Sequence, residues 1–149
     1  MQNDEVWMRL ALQEARLAAA EGEIPVGAVL VRDGQEICRA HNLRENQHDP
    51  TAHAEILCMR RGAEKLGTWR LRGCTLYVTL EPCPMCAGAM VMSQLSACVY
   101  GRRTPGRGAA AACTICRGMR RYPALPLGAR ACWRMNALKS CAISSRKSV

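Results

Sequence analysis

The sequence predicts an α/β domain, a sheet covered by helices. Helix-like and strand-like stretches alternate over residues 1–101 in the order α-β-β-α-β-α-β, the pattern of a layered domain. Asp33-Gly34 sits between two strand-like runs, a two-residue hairpin signal. With 149 residues, the chain is one domain large enough for a single buried core.

Asp4 to Ala20 reads as the first helix, with acids in its first turn, where the helix dipole favours them, and Gly22 after its end. Val26–Arg32 and Gln35–Ala40 are the hairpin strands. Thr51 to Leu66 is a second helix, capped by Asp49 or Thr51 and stopped by Gly67. Cys74–Leu80 alternates as a strand, Pro84–Ser93 is a third helix, and Ala97–Tyr100 a short apolar strand. Trp7, Trp69, Met8, Met90 and Met92 read as core, and His41 and His48 as solvated loop residues.

The N-terminus carries two acids and no apolar run, and no stretch approaches the roughly 18 apolar residues of a membrane span. The 10 cysteines are then expected to be reduced thiols and metal ligands in a cytoplasmic protein. The formal charge of +9 invites a nucleic-acid reading, but its distribution is uneven. All 12 acids lie in residues 1–101 beside 10 Lys and Arg; residues 102–149 hold 11 Lys and Arg and no acid.

The chemistry is concentrated in His53-Ala54-Glu55 and Pro82-Cys83-Pro84-Met85-Cys86. One imidazole and two thiolates at i, i+3 make a three-ligand zinc site whose fourth position is left to water, unlike a zinc finger, which closes the site with a fourth protein ligand. On the first turn of a helix, Cys83 and Cys86 face the same way, and the positive helix end favours their thiolates. Pro82 and Pro84 suit a helix entry. The bland alternative is a pair of core cysteines with an unrelated histidine, and the framing prolines argue against it. Residues i and i+2 lie about 200° apart around an ideal helix, so His53 and Glu55 reach one site only near the helix start. Glu55 is expected to be a general acid/base, not a ligand, since a fourth ligand would displace the water. HxE followed by PCxxC is the signature of zinc-dependent nucleobase deaminases.

Residues 1–101 resemble the bacterial tRNA-specific adenosine deaminase family of the cytidine/deoxycytidylate deaminase superfamily. The resemblance runs through Glu23-Ile24-Pro25-Val26-Gly27-Ala28, His41-Asn42, Asp49-Pro50-Thr51-Ala52-His53-Ala54-Glu55 and Thr79-Leu80-Glu81-Pro82-Cys83-Pro84-Met85-Cys86-Ala87-Gly88-Ala89-Met90. It implies a cytidine-deaminase-like three-layer sandwich with a mixed sheet. It also implies one zinc ion per subunit on His53, Cys83 and Cys86, with Glu55 as proton shuttle. Asn42, Val26, Gly27, Ala28, Ala54 and Pro82 would meet the substrate. For Asn42 a loop-capping amide, and for Val26 strand core, are the bland alternatives. The implied reaction is hydrolysis of the wobble adenosine to inosine in a tRNA anticodon, that of an arginine tRNA, by a homodimer using zinc-activated water. A free nucleobase or nucleoside deaminase of the same fold is the alternative enzyme. A non-catalytic zinc-containing RNA-binding module is the alternative outside catalysis, disfavoured because metal binding alone does not need Glu55.

Residues 102–149 depart from the family pattern and have no sustained periodicity. Back-translated and read from each codon's third base, they regain it. Met135-Asn136 forces a glutamate codon and Cys132-Trp133 forces leucine; allowed codons continue Cys132–Val149 as LADECAEELRDFFAEKR. In the same frame Arg102–Pro105 permits Ala-Ala-Asp-Pro, and Cys113–Cys116 permits Tyr-Asp-Leu. The expectation is therefore a deaminase region over 1–101 and, over 102–149, an out-of-frame tail replacing the closing strand and helices. On this reading Cys113-Thr114-Ile115-Cys116 is accidental, not a second zinc half-site. An Arg-rich RNA-binding tail is the competing view. Loss of the closing elements would bare a sheet edge and apolar helix faces.

Overall fold

The computed structural model describes residues 2–102 and 119–121, with side chains from Asp4 to Arg102. The order is α1 (Gln2–Ala20), β1 (Gly27–Arg32), β2 (Gln35–His41), α2 (Ala54–Leu66), β3 (Cys74–Leu80), α3 (Pro84–Met92), β4 (Ala97–Arg102) and β5 (Met119–Arg121). The expected element order holds, with β5 added. Three residues are too few to leave an alternation, so nothing in the pattern marks that strand. It pairs parallel with β4 through Cys98–Met119, Val99–Arg120 and Tyr100–Arg121, so the outer edge of β4 is not bare there. Cys113–Cys116 and the rest of the expected out-of-frame stretch beyond Arg102, apart from Met119–Arg121, lie outside the described residues.

The sheet is mixed, in the order β2-β1-β3-β4-β5. β1 is antiparallel to both β2 and β3, whereas β3 and β4 are parallel and joined through α3. Asp33 and Gly34 both have positive φ, 51° and 71°, as a two-residue primed turn requires, and Arg32 faces Gln35 across it. Alternation along β1 splits its side chains between two cores. Val29 and Val31 join Met8, Ala11, Tyr77 and Val99 against α1. Val26, Ala28 and Leu30 face the other way, into a larger core with Leu57, Cys58, Cys86 and Met90 of α2 and α3. Helix, sheet and helices thus form the three layers expected.

Gly27 explains how closely α1 approaches. A Cβ there would overlap the backbone carbonyl of Ala11, so only glycine lets the helix lie on β1. The hydroxyl of Tyr77 donates to Asp4 Oδ1 at 2.6 Å, tying the start of α1 to β3.

Several side chains differ from expectation. Trp69 is 54% exposed and carries Arg70 over its ring, and Met92 is 75% exposed, so neither is core; Trp7 is half-buried against the α1 core. His41 is not a solvated loop residue. It ends β2 and lies between carboxylates, with Nδ1 2.8 Å from Glu14 and Nε2 3.4 Å from Glu21. His48 is exposed, as expected. The described cysteines form no disulfide, and no helix among the described residues is long and apolar enough to cross a membrane.

Candidate metal centre and active site

Two helix starts converge at the end of β3. α2 begins at Ala54, not Thr51, because Asp49 makes a turn of its own: its Oδ1 accepts from the backbone N and the hydroxyl of Thr51, both at 2.7 Å. His53 is therefore the N-cap, in extended conformation at φ −74°, ψ 150°. This later start resolves the 200° problem. His53 lies outside the helix and Glu55 at its second position, where both side chains can turn to one side. Gly67 ends the helix at φ 64°, in the left-handed conformation, as expected. α3 starts the same way, with Cys83 as N-cap at φ −74°, ψ 168° and Pro84 in the first turn.

Nδ1 of His53 lies 3.7 Å from Cys83 Sγ and 3.5 Å from Cys86 Sγ, and the two sulfurs are 3.6 Å apart. In a tetrahedral zinc site, Zn–S bonds of about 2.3 Å and a Zn–N bond of about 2.0 Å put sulfurs about 3.8 Å apart and sulfur and nitrogen about 3.5 Å apart. The donor set and spacing fit zinc. Among the described residues, these three form the one group of ligating side chains close enough together to hold a metal ion.

The local field suits thiolate ligands. Cys83 is lowered to about 5, first by the Cys86 thiol and then, against burial, by the N–H groups of Cys86 and Met85 at the start of α3 and by His53. Cys86 is pushed up, by its contact with Cys83 and by burial. Glu55 is buried, and burial raises its carboxyl, against the pull of its own backbone N–H and of His53. A carboxyl held up in this way can carry a proton nearer neutrality than a solvated one.

Of the other expected site residues, Val26, Ala28 and Ala54 lie in the core cluster that contains Cys86. Asn42 is buried at the end of β2; its N–H donates to Val26 O at 3.0 Å, and the next residue, Leu43, donates to Ala52 O at 3.0 Å, one residue before His53. Val26, Ala28, Ala54 and Pro82 are all buried. Gly27 turns its α-carbon to α1, while its N–H donates to Thr79 Oγ1 at 3.2 Å. One residue was missed: Glu23, buried between α1 and β1, whose carboxylate accepts from Asn42 Nδ2 and from the Asn46 backbone, each at 2.8 Å. An acid between a helix end and a pre-strand proline is ordinary loop composition, so only the family motif pointed to it.

Residues 1–102 match the family described as the cytidine and deoxycytidylate deaminase zinc-binding region. Over 108 residues the chain is 54% identical to the tRNA-specific adenosine deaminase of Bacillus subtilis, covering 72% of this chain and 67% of that one. A solved structure from studies of A-to-I editing by tRNA:A34 deaminases at the wobble position of transfer RNA superimposes with a TM-score of 0.74 at 41% identity, over 79% of this chain and 98% of that one. The guanine deaminase of B. subtilis superimposes with a TM-score of 0.65 at 30% identity, over 88% and 93% of the two chains. A three-ligand centre at two helix starts, with a buried glutamate beside it, defines a zinc-dependent deaminase. Within that class, the chain belongs to the tRNA-specific adenosine deaminase family.

Proposed function

We propose that this chain hydrolyses the wobble adenosine of a tRNA anticodon to inosine, releasing ammonia. The observation that carries the reading is the trio of His53 Nδ1, Cys83 Sγ and Cys86 Sγ at tetrahedral spacing, with the Glu55 carboxyl buried beside it. When bound, zinc supplies a Lewis acid that makes water nucleophilic near neutral pH. The remaining steps belong to the chain. His53, Cys83 and Cys86 hold the centre. Glu55 takes a proton from the attacking water and returns protons to N1 of the purine and to the departing amino group. Asn42 orients the base, and Val26, Ala28, Ala54 and Pro82 wall the pocket with apolar groups that keep bulk water out. Gly27 serves mainly by admitting α1.

Two finer features belong to the same reading. A homodimer suits the exposed Met85, Val91 and Met92 on α3, an apolar surface beside the site. An arginine tRNA is the substrate the family resemblance implies. Residues 102–149 we read as out-of-frame sequence attached to an intact catalytic region.

Inosine formation in an anticodon stem-loop, compared with turnover of free adenosine and free guanine, tests the assignment. Inosine in the stem-loop alone is expected. Conversion of guanine with none in the stem-loop would replace it with a free-base deaminase.

A further inference from the structure

Glu23 is a buried carboxylate, 3% exposed, and no cation pairs with it among the described residues. Its own N–H is fixed on Ala18 O at 2.9 Å, at the end of α1. Both oxygens are engaged by N–H groups: Oε1 by the Asn46 backbone and Oε2 by Asn42 Nδ2, each at 2.8 Å. Burying a charge against dipoles alone is costly, and pinning a loop needs no charge. Oε1 performs that pinning at Asn46; the contact of Oε2 has a different consequence.

A side-chain amide has two ends of nearly equal shape and opposite hydrogen-bonding sense. An ionised carboxylate only accepts, so the nitrogen end of Asn42 must face Glu23. What remains is Oδ1, an acceptor with no hydrogen bond to the described protein, and the second Nδ2 hydrogen, a donor. An acceptor beside a donor complements the 6-amino group and N7 of adenine, the edge that asparagine pairs with in two hydrogen bonds. A flipped amide would present the reverse order, which adenine does not match.

We infer that Glu23 is a positioning residue: its carboxylate fixes the amide of Asn42 in the sense that matches the 6-amino/N7 edge of an adenine base. The inference rests on the reading above that Asn42 meets the substrate. Glu23 touches neither substrate nor metal and acts only through Asn42.

A double-mutant cycle on the full chain tests it, reading kcat/KM for inosine formation in an anticodon stem-loop beside zinc content and melting temperature. E23Q should lower kcat/KM about tenfold, the scale of losing one hydrogen bond to a charged group, with zinc retained. N42A should lower it at least as much, and adding E23Q to N42A should lower it no further. An undiminished effect of E23Q in the N42A background would make Glu23 a purely structural residue and overturn the inference, as would an unchanged E23Q rate. Full activity of N42A would instead remove Asn42 from the substrate site, and the role of Glu23 with it. If E23Q does not fold, N42D combined with E23Q restores a donor–acceptor contact between the two positions but turns only acceptors to the base. Its melting temperature should recover while the rate stays low; recovery of both contradicts the inference. Independent of turnover, the Asn42 side-chain amide protons should exchange slowly in the parent chain and faster in E23Q. Equal exchange in the two would also overturn it.

Discussion

Nδ1 of His53 lies 3.5 Å from Sγ of Cys86, although the residues are 33 positions apart and belong to the starts of different helices. What brings them together is β3, which delivers the chain through Pro82 to α3 where α2 also begins. Because this separation is that of two ligands of one tetrahedral ion, either side chain should be indispensable for metal. H53A and C86S should each purify with less than about a tenth of the zinc of the parent chain, measured by atomic absorption. Near-stoichiometric zinc in either variant would show that the ion sits elsewhere.

Chelation should act on the fold as well as on activity. The three ligands join α2 to α3, so removing zinc withdraws a cross-link between two elements of one core. A lower melting temperature after exhaustive chelation, restored by zinc and not by magnesium, is expected from scanning calorimetry. Magnesium prefers oxygen ligands and has none in this trio.

Gly27 offers a test on the opposite face of the sheet. In G27A the new methyl group meets the backbone of Ala11 and Ala15, which cannot move aside as a flexible side chain would. The expected loss is about 2 kcal/mol of unfolding free energy in denaturant titration, the scale of overpacking a tight core. A change under about 0.5 kcal/mol would mean that α1 lies further from β1 than described.

Much of this was legible in the sequence because the signals were local. Asp33-Gly34 dictates its turn through two positive φ values, Gly67 its helix end, and Cys74–Leu80 its alternation. The zinc trio was legible because ligand spacing and flanking prolines are chemical requirements. What escaped depended on tertiary position. The start of α2 moved from Thr51 to Ala54 because Asp49 bonds Thr51 in place of capping the helix. Composition places Trp69 and Met92 in the core, yet in the fold both are exposed. Glu23 could not be assigned a role until the fold set it against Asn42, 19 residues away.

The tail is a question about the gene as much as the protein. Sequencing across the codon for Gly101 should reveal a frame change that, once corrected, continues with Ala-Ala-Asp-Pro and ends in an acidic helix. An intact frame encoding the present residues would refute it. With the tail as it stands, poor solubility or weak activity is expected, read as a broad thermal transition beside that of the frame-corrected chain. A cooperative melt with full zinc occupancy and undiminished deamination would contradict this.

The central claim is that Glu55 moves protons beside a metal it does not bind. Its most direct test is the rate of inosine formation in an anticodon stem-loop by E55A carrying measured, full zinc occupancy. A fall of about 10²- to 10⁴-fold at unchanged zinc is predicted, the scale of losing a general acid/base. Deamination at the parent rate by the zinc-loaded variant would contradict the mechanism.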